Sequence, residues 1–321
     1  MTTITAETIL RSRNKSKPDQ VLSTLLLRYP RCVHAELMTH RVFSRNSASS
    51  RAIPNAKLMK DIKENPFVPR YWGQNQKGMQ AGEENDSGVV VDGDLYPREH
   101  AWRKAMESAV SFSEGFADAD YHKQIVNRLA EPFMHITVLV SSTEWSNWIG
   151  LRDHPDAEPH IRDLAIETIK QLRRTDNIHN LSVGDWHLPF ITKADWNDVD
   201  EYIAEVKNLE PTNQRVIEML IKKSCACSAS TSYKTVDGFG MDFSRSEFIF
   251  DKLAGSRPMH ASPFEHVAYA DAFIKTEKKY IMNPLTKEMM EFNVNKWNQS
   301  LLHGNFEGFC QYRKLMPNES M

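Results

Sequence analysis

Two apolar runs in the first half of the chain predict strands. Residues 21–27 are apolar and β-prone, with Pro30 interrupting the pattern soon afterwards, and residues 135–140 are rich in β-branched side chains. Residues 35–38 have a more helical pattern. The polar stretch that begins at His40 is therefore expected to follow a strand and a short helix, which would hold its side chains in fixed positions.

Apolar residues recur at helical spacing in several later segments and predict helices there. These segments lie around residues 102–110, 125–129, 161–172, 202–209, 216–223 and 248–253. Ser141 and Glu144 have the spacing of a capping box, which predicts a helix that starts there and continues through Trp148. We expect most of the apolar positions in these segments to belong to the core.

Two polar segments interrupt this pattern. Residues up to about Pro18 are polar and are expected to form a loosely held arm. Residues 72–97 are rich in glycine, asparagine and aspartate, and they are expected to form either a loop over a site or a flexible insertion. No internal repeat or clear domain boundary is visible, so we predict a single domain over residues 1–321.

Composition and charge limit the class of protein. Hydrophobic residues make up 40% of the chain and charged residues 26%, as in ordinary soluble proteins, and a net charge of -2 argues against nucleic acid as a primary partner. The first residues lack the long apolar segment of a signal peptide, and no transmembrane span is evident. The four cysteines contain no C-x-x-C pair, which fits a reducing compartment. We therefore expect a cytoplasmic protein without a membrane partner.

Residues 40–51, with the sequence HRVFSRNSASSR, lie in a locally basic region. No Asp or Glu occurs between residues 37 and 60, whereas five residues there are Lys or Arg. A planar guanidinium can bind phosphate through two parallel hydrogen bonds, and serine hydroxyls can complete an anion site. The stretch is compatible with a mononucleotide site, but on charge alone a solvated basic face beside a serine-rich turn explains it equally well.

The polar residues of this stretch resemble the H-R-x-x-S-x-N-x-x-S-x-R motif of the flavin-dependent thymidylate synthases. The resemblance implies an α+β fold in which a mostly antiparallel central sheet is flanked by helices. In that family the first part of the motif contacts FAD, and the second part holds the phosphate and sugar of dUMP. Thr39 and Ser47 depart from the Arg and Glu that the family usually has at these positions.

Three further blocks carry the same resemblance. Residues 128–132 resemble the family's R-x-x-x-P signature, residues 147–152 its N-x-x-x-L-R segment, and residues 260–266 its H-x-[ST]-P-F-E-H block. Ser141 and Thr143 stand where the family has an N-x-R pair. In most family members the last block precedes the basic motif, so the resemblance implies a circularly rearranged order.

The resemblance also assigns roles to individual residues. The implied cofactor-binding residues are Thr39, His40, Arg41, Asn147, His260 and Ser262. The implied substrate-binding residues are Glu36, Ser47, Ala48, Ser49, Ser50, Arg51, Arg128 and Arg152. Arg152 is also the expected catalytic residue, because a permanently charged guanidinium can stabilise negative charge that develops on a pyrimidine.

Arg128 and Arg152 also fit purely structural roles. Without the resemblance, Arg128 is equally well explained as a surface residue of a helix, and Arg152 as a cation that balances a helix dipole. Residues 260–266 lack the His pair spacing of a zinc helix, so we expect no metal there.

The activity implied is conversion of dUMP to dTMP, with methylenetetrahydrofolate as carbon donor and NADPH-reduced FAD as reductant. No cysteine has a convincing nucleophile setting, and a Rossmann glycine motif is absent. The resemblance implies instead a flavin site built from scattered side chains between the subunits of a homotetramer. Two alternatives remain: a non-catalytic nucleotide-binding protein, and a flavoenzyme that modifies another deoxyuridylate.

Overall fold

A five-stranded sheet lies at the centre of the computed structural model, which describes residues 4–231, 240–317 and 319. The strands, in spatial order, are β3 (Ser44–Ser47), β6 (His135–Ser142), β2 (Val21–Pro30), β1 (Thr5–Asn14) and β7 (His179–Leu181). β7 runs parallel to β1, and all other neighbours in this sheet are antiparallel. The expected α+β fold with a mostly antiparallel central sheet is confirmed.

The remaining elements surround this sheet. The helices are α1 (His34–Met38), α2 (Asn55–Glu64), α3 (Arg98–Asp118), α4 (Lys123–Val126), α5 (Ser146–Arg152), α6 (Pro159–Arg173), α7 (Lys193–Glu201), α8 (Asn213–Ala229) and α9 (Phe243–Ala254). The other strands are β4 (Val89–Val91), β5 (Asp94–Tyr96), β8 (Trp186–His187), β9 (Ala268–Ala270), β10 (Phe273–Met282), β11 (Met289–Trp297) and β12 (Phe309–Gln311). β4 pairs with β5, β10 pairs with β11, and β9 lies between β8 and β12.

One face of the central sheet forms the main core. Side chains alternate between the two faces of a strand, so Leu25 and Leu27 of β2 share a face with Val138 of β6. These residues are fully buried and pack in one cluster with Leu164 of α6 and Trp148 of α5. The apolar spacing of residues 161–172 thus produces the predicted helix, and burial of its apolar face fixes α5 and α6 against the sheet.

The first residues do not form the loose arm that we expected. Residues 5–14 form β1, which pairs along its length with β2. Its polar side chains are held by distant partners: Arg11 Nε donates to Ser23 Oγ at 3.1 Å, and Asn14 Nδ2 donates to the backbone oxygen of Asp271 at 2.7 Å. These long-range hydrogen bonds satisfy polar groups that would otherwise oppose burial.

The predicted capping box at Ser141 and Glu144 is also wrong. β6 continues through Ser142, and α5 begins only at Ser146, without a side-chain cap from Trp145. Ser141 pairs with Thr24 of β2 instead, and a carboxylate oxygen of Glu144 accepts from the backbone nitrogen of Ser146. The predicted helix start is absent because β6 remains paired with β2 through Ser142.

The other helix predictions are confirmed, with shorter elements at two places. Residues 102–110, 216–223 and 248–253 lie in α3, α8 and α9. Residues 202–209 contain only a π-helical turn, Tyr202–Val206, and α4 ends at Val126 before a 3-10 helix over Asn127–Phe133. Within residues 72–97, the hairpin of β4 and β5 is the regular part. No helix in the described part of the chain is long and apolar enough to cross a membrane.

Candidate functional site

The polar motif meets the end of α5 at a hydrogen-bonded cluster. Arg152, the last residue of α5, donates from Nε to Nε2 of His40 at 3.0 Å. The other ring nitrogen of His40, Nδ1, lies 3.2 Å from Oδ1 of Asn147, which belongs to the same helix. Two predicted cofactor residues and the predicted catalytic residue are thus brought together.

The protonation state of His40 follows from this geometry. Arginine can only donate, so Nε2 of His40 is the acceptor and Nδ1 carries the proton that is donated to Asn147. Burial, and then the charge of Arg152, lower the pKa of His40. His40 is therefore a neutral ring that orients both side chains without adding charge.

Arg152 makes two further contacts on the same side. Its Nη2 donates to the backbone oxygen of Glu36 at 3.1 Å and to the hydroxyl of Thr39 at 3.0 Å. α1 and the residues after it therefore fix the guanidinium plane, and packing of Trp148 and Phe43 against the His40 ring supports the cluster. Thr39, which departs from the family pattern, keeps a polar role here by accepting from Arg152.

The surface around this cluster is partly apolar. Met38, which precedes Thr39, is 43% exposed; Val42, within the motif, is 41% exposed; and Leu151, which precedes Arg152, is 56% exposed. Asn147 is exposed, and because its oxygen receives the His40 proton, its amide nitrogen is the group left to donate. Apolar surface next to an amide donor fits a planar heterocycle with polar edges.

The substrate segment of the motif runs from β3 into a turn. Ser47 ends β3, and the backbone nitrogen of buried Ala48 donates to Thr137 at 2.8 Å. The hydroxyl of Ser50 donates to a carboxylate oxygen of Glu131 at 2.6 Å. Ser49 lies in the same turn. The segment is therefore anchored by its backbone and by one carboxylate.

Glu131 lies close to two arginine side chains next to this segment. Arg31 lies 3.5 Å from it and Arg128 4.0 Å, the latter with a side chain that is 60% exposed. Arg51 is exposed and has no ion pair or hydrogen bond with another described residue. The structure thus places Arg51 and Arg128 where an anion from solution can reach them.

Residues 260–266 lie beside the motif strand, as a shared site requires. The hydroxyl of Ser262 lies 3.4 Å from Oδ1 of Asn46 in β3, and Phe264 is fully buried. Glu265 forms an ion pair with Arg313, and Nδ1 of His266 lies 2.9 Å from the hydroxyl of Ser141. This block is therefore fixed to the central sheet through its second half.

Not every predicted residue joins these clusters. Arg41 and His260 are exposed, and neither side chain makes a hydrogen bond or ion pair with the other described residues. The backbone nitrogen of His260 donates to the hydroxyl of Ser256 at 3.2 Å. The cofactor roles predicted for these two residues remain predictions.

Two polar residues near the end of the chain were missed by the sequence reasoning. Gln311 Nε2 lies 3.1 Å from the hydroxyl of Ser44, 3.0 Å from the backbone oxygen of Glu265 and 2.9 Å from Oδ1 of Asn305. Asn305 donates to the backbone oxygen of Val42 at 2.8 Å. The two amides therefore join the motif to residues 260–266, and no local signal in the sequence marks them.

A buried chain of polar side chains continues behind the motif. His187 bridges Ser12 and Thr24, with its Nδ1 2.7 Å and its Nε2 2.9 Å from their hydroxyl oxygens. Thr24 lies 2.6 Å from Ser141, which also contacts His266. Ser141 is fully buried, so its side chain serves this network rather than the surface where the Asn147 amide lies.

Within residues 4–231 and 240–317, one group of possible metal ligands lies outside these clusters. Asp271, His303 and Cys310 are buried with ligand atoms within 4.8 Å of one another. Nε2 of His303 lies 3.0 Å from Asp271, whose carboxylate also accepts from the backbone nitrogens of Ala272 and Gln299. These hydrogen bonds already account for the carboxylate, so the group holds the C-terminal segment together.

The cysteines do not form a nucleophilic site. Cys225, Cys227 and Cys310 are buried, and burial raises the pKa of Cys225 well above its ordinary value. Partial burial, followed by the charges of Glu158 and Glu36, raises the pKa of Cys32 to about 11. Cys32 and Cys225 are therefore not poised as thiolates at neutral pH.

Comparison with solved structures gives two partial matches. Two crystal structures of a UMP/dUMP methylase PolB from Streptomyces cacaoi, bound with 5-Br dUMP and 5-Br UMP, each give a TM-score of 0.43 at 15% and 14% identity. They cover 55% and 56% of this chain and 92% and 91% of their own. The curated proteins contain no match.

Family membership is shown by a family model alone. The model described as thymidylate synthase complementing protein, Thy1, matches residues 4–176, which contain the basic motif, Arg128 and the Asn147–Arg152 helix end. Residues 260–266 lie beyond this match, so the rearranged order of the blocks stays a prediction. With more than half of its length matched, the chain belongs to the thymidylate synthase complementing protein family.

Proposed function

We propose that the protein is a flavin-dependent thymidylate synthase that converts dUMP to dTMP. Methylenetetrahydrofolate would donate the carbon, with NADPH supplying the electrons through FAD. The observation that carries the proposal is the cluster of Arg152, His40 and Asn147, which joins two separate family blocks at hydrogen-bond distance. Family membership and the agreement of this cluster with the predicted roles support the same activity.

Arg152 is proposed to act on the pyrimidine. A carbon nucleophile forms at C5 of the base only if negative charge can accumulate on the N3 and O4 side of the ring. The Arg152 guanidinium carries a permanent charge, and its orientation is fixed in advance by His40, Thr39 and the backbone of Glu36. Preorganised charge of this kind stabilises a developing anion without a reorganisation cost.

The phosphate of dUMP is proposed to bind at Arg51 and Arg128. Both guanidiniums are accessible, and Ser49 and Ser50 lie in the turn beside them. Charge-assisted hydrogen bonds from arginine to phosphate are among the stronger polar contacts in proteins. The carboxylate of Glu131 is expected to hold Ser50 and Arg31 in place around the bound anion.

Asn147, Thr39 and Ser262 are the proposed FAD contacts, with His40 acting through Asn147. The exposed amide of Asn147, together with the apolar surface of Met38, Val42 and Leu151, fits the edge and face of a flavin ring. Bound FAD would carry the reducing equivalents that complete the methyl group. The neutral state of His40 suits this position, because it keeps the Asn147 oxygen occupied and its nitrogen available as a donor.

The activity is tested with purified protein, dUMP, methylenetetrahydrofolate and NADPH, following dTMP by chromatography and flavin by its absorbance. The Arg152→Ala variant should retain FAD and lose most dTMP formation. The matched control is Arg173→Ala, because Arg173 is likewise the last residue of a helix, and its side chain is exposed. If both variants turn over like the wild type, Arg152 is merely a helix-end cation and its catalytic role is rejected.

The same experiment separates the alternatives. A non-catalytic nucleotide-binding protein would stay colourless and still bind dUMP. A flavoenzyme for another deoxyuridylate would take up FAD and leave dUMP unchanged with the folate present. Formation of dTMP that depends on both the folate and NADPH is the result we expect.

A further inference from the structure

The hairpin of β10 and β11 projects from the C-terminal part of the protein. Its two strands pair with each other and with no other strand of the described residues. At the base, Phe273 and Trp297 pack together with ring centroids 5.3 Å apart, and Trp297 is buried. Strands of this length extend roughly 30 Å. An isolated two-stranded hairpin is only marginally stable in water, so we expect a partner to stabilise the outer half of this hairpin.

The tip of this hairpin is apolar on both faces. Met282 is paired with Met289 on one face, and Ile281 is paired with Met290 on the other. All four side chains are between 43% and 58% exposed. Leu285, in the turn that joins the strands, is 89% exposed. A contiguous set of exposed apolar side chains of this kind marks an interaction site, whereas single exposed residues do not.

The tip also carries positive charge. Lys278 is neutralised by Glu291 at 2.7 Å. Lys279 and Lys287 have no carboxylate within ion-pair distance among the residues that the structure describes. The hairpin tip therefore presents an apolar knob, Leu285, beside the charges of Lys279, Lys287 and Glu288, two of which are positive.

A surface of opposite character lies elsewhere on the same chain. A cavity of about 360 Å³ is formed where α7, the π-helical turn and the start of α9 meet. Tyr202, Val206 and Phe243 contribute its apolar lining, and Val206 is 62% exposed. Asp198, Glu201 and Glu205 form its exposed rim.

The three rim carboxylates have no ion-pair partner among the described residues. Asp198, Glu201 and Glu205 have no lysine, arginine or histidine within ion-pair distance in residues 4–231 and 240–317. Residues at this spacing project from one side of a helical segment, so three negative charges are held next to one another. Such a rim favours a cationic partner, because an opposite charge reduces the repulsion between the neighbouring carboxylates.

We infer that two copies of the chain exchange hairpins, with Leu285 of each copy seated in the acidic cavity of the other and Lys279 and Lys287 facing its rim. The cavity is large enough for a leucine side chain, and Tyr202, Val206 and Phe243 form the apolar part of its lining. The lining also contains Asp242 and the ion pair of Lys223 with Asp195. An exchange in which each copy inserts its hairpin into the other closes into a two-fold assembly, whereas insertion in one direction only would propagate into an open chain. A second copy therefore covers the hairpin tip and the acidic cavity of the first copy at the same time.

Charge exchange provides the test. The first variant carries Lys279→Glu and Lys287→Glu, and the second carries Glu201→Lys and Glu205→Lys. We expect each variant alone to form an assembly with about half the wild-type mass in light scattering at micromolar concentration. Mixing the two should restore the wild-type mass, because each hairpin then meets a cavity of opposite charge. A fluorescent label on one variant shows whether the restored species contains both.

Two controls exclude a general effect of charge or of folding. The Lys60→Glu and Lys77→Glu pair reverses two exposed lysines away from both surfaces and should keep the wild-type mass. Leu285→Asp changes one exposed turn residue and should lower the mass without any change in circular dichroism. The inference is overturned if the wild type is a monomer, if Leu285→Asp keeps the wild-type mass, or if the mixture stays at the mass of the separate variants. Either of the last two results would mean that the tip meets a different partner.

Discussion

The Nε of Arg152 donates to Nε2 of His40 across a sequence separation of 112 residues, at a distance of 3.0 Å. This hydrogen bond joins the basic motif after α1 to the C-terminal end of α5, which are separate blocks of the family. Because the same imidazole donates to Asn147, one neutral ring sets the direction of a guanidinium and an amide together. The geometry of the proposed site therefore depends on a residue that itself carries no charge.

Replacement of this ring should impair turnover more than folding. His40→Phe retains the packing against Trp148 and Phe43 but removes both hydrogen bonds. With Arg152 and Asn147 no longer fixed, we expect kcat for dTMP formation to fall by about tenfold to a hundredfold, because small displacements of catalytic groups have effects of that size.

The control for His40→Phe is His100→Phe, which changes an exposed histidine stacked against Tyr96 outside the cluster. This control should keep wild-type kcat. Steady-state assays of both variants, with thermal unfolding recorded in parallel, provide the measurement. A His40→Phe enzyme with wild-type kcat would show that the imidazole does not position Arg152.

Arg51→Ala should weaken dUMP binding. Its guanidinium is exposed and makes no ion pair with another described residue, so it is available for a phosphate. Loss of charge-assisted hydrogen bonds to phosphate is expected to raise KM for dUMP by about tenfold to a hundredfold, with a smaller effect on kcat. Lys60→Ala removes an exposed cation of α2 that lies 3.9 Å from Glu64, and it should leave KM unchanged. Equal KM values for the two variants would remove Arg51 from the phosphate site.

Local pattern was sufficient to predict much of the sheet and the helices that carry the site. β6 is a run of β-branched residues that is buried on both sides, and α6 has a regular apolar face, so each signal survives in the folded protein. The motif follows a strand and a short helix as predicted, because β2 and α1 precede it. The family resemblance then predicted that residues from these elements form one site.

The remainder depends on contacts between residues far apart in sequence. β1 reads as a polar arm because Arg11 and Asn14 are buried only through hydrogen bonds to residues such as Ser23 and Asp271. The Ser141 hydroxyl serves the buried network of Thr24 and His266 and not a helix cap. The contribution of Gln311 to the motif could not be predicted, because its partner Ser44 lies 267 residues away.

Gln311→Leu tests whether this amide holds the motif strand. Leucine is similar in size but removes the donor to the Glu265 carbonyl and leaves the Asn305 oxygen with only the Ser44 hydroxyl, in a site where Gln311 is 2% exposed. We expect the free energy of unfolding to fall by about 2–3 kcal/mol, because unsatisfied buried polar groups carry penalties of this order.

Urea denaturation supplies the measurement for Gln311→Leu. The matched control is Gln214→Leu, which alters an exposed glutamine of α8 and should change the free energy of unfolding by no more than about 0.5 kcal/mol. Similar values for the two variants would mean that the Gln311 amide contributes nothing to the attachment of the C-terminal segment.

Acid should destabilise the protein partly through His187. Burial, followed by the charges of His266 and His179, lowers the pKa of His187 from 6.5 to about 3. A histidine whose pKa is lower in the folded protein contributes stability that is complete above 6.5, the value expected after unfolding. That stability is lost as the pH falls through 6.5 towards 3, because the unfolded chain binds a proton that the folded protein does not.

The size of this effect can be isolated with His187→Gln. At pH 4 the imidazole should contribute about 3 kcal/mol to the loss of unfolding free energy, because each pKa unit corresponds to about 1.4 kcal/mol. The variant loses the hydrogen bonds to Ser12 and Thr24 at every pH, so it should be less stable at pH 7 but should lose less on acidification. His34 and His135, whose pKa values burial lowers to about 4, titrate in both proteins and cancel in the comparison. Urea unfolding at pH 7 and pH 4 provides the four values, with His100→Gln as an exposed control that should follow the wild type. Equal losses in wild type and His187→Gln would show that the buried imidazole accepts a proton without cost, contrary to its complete burial.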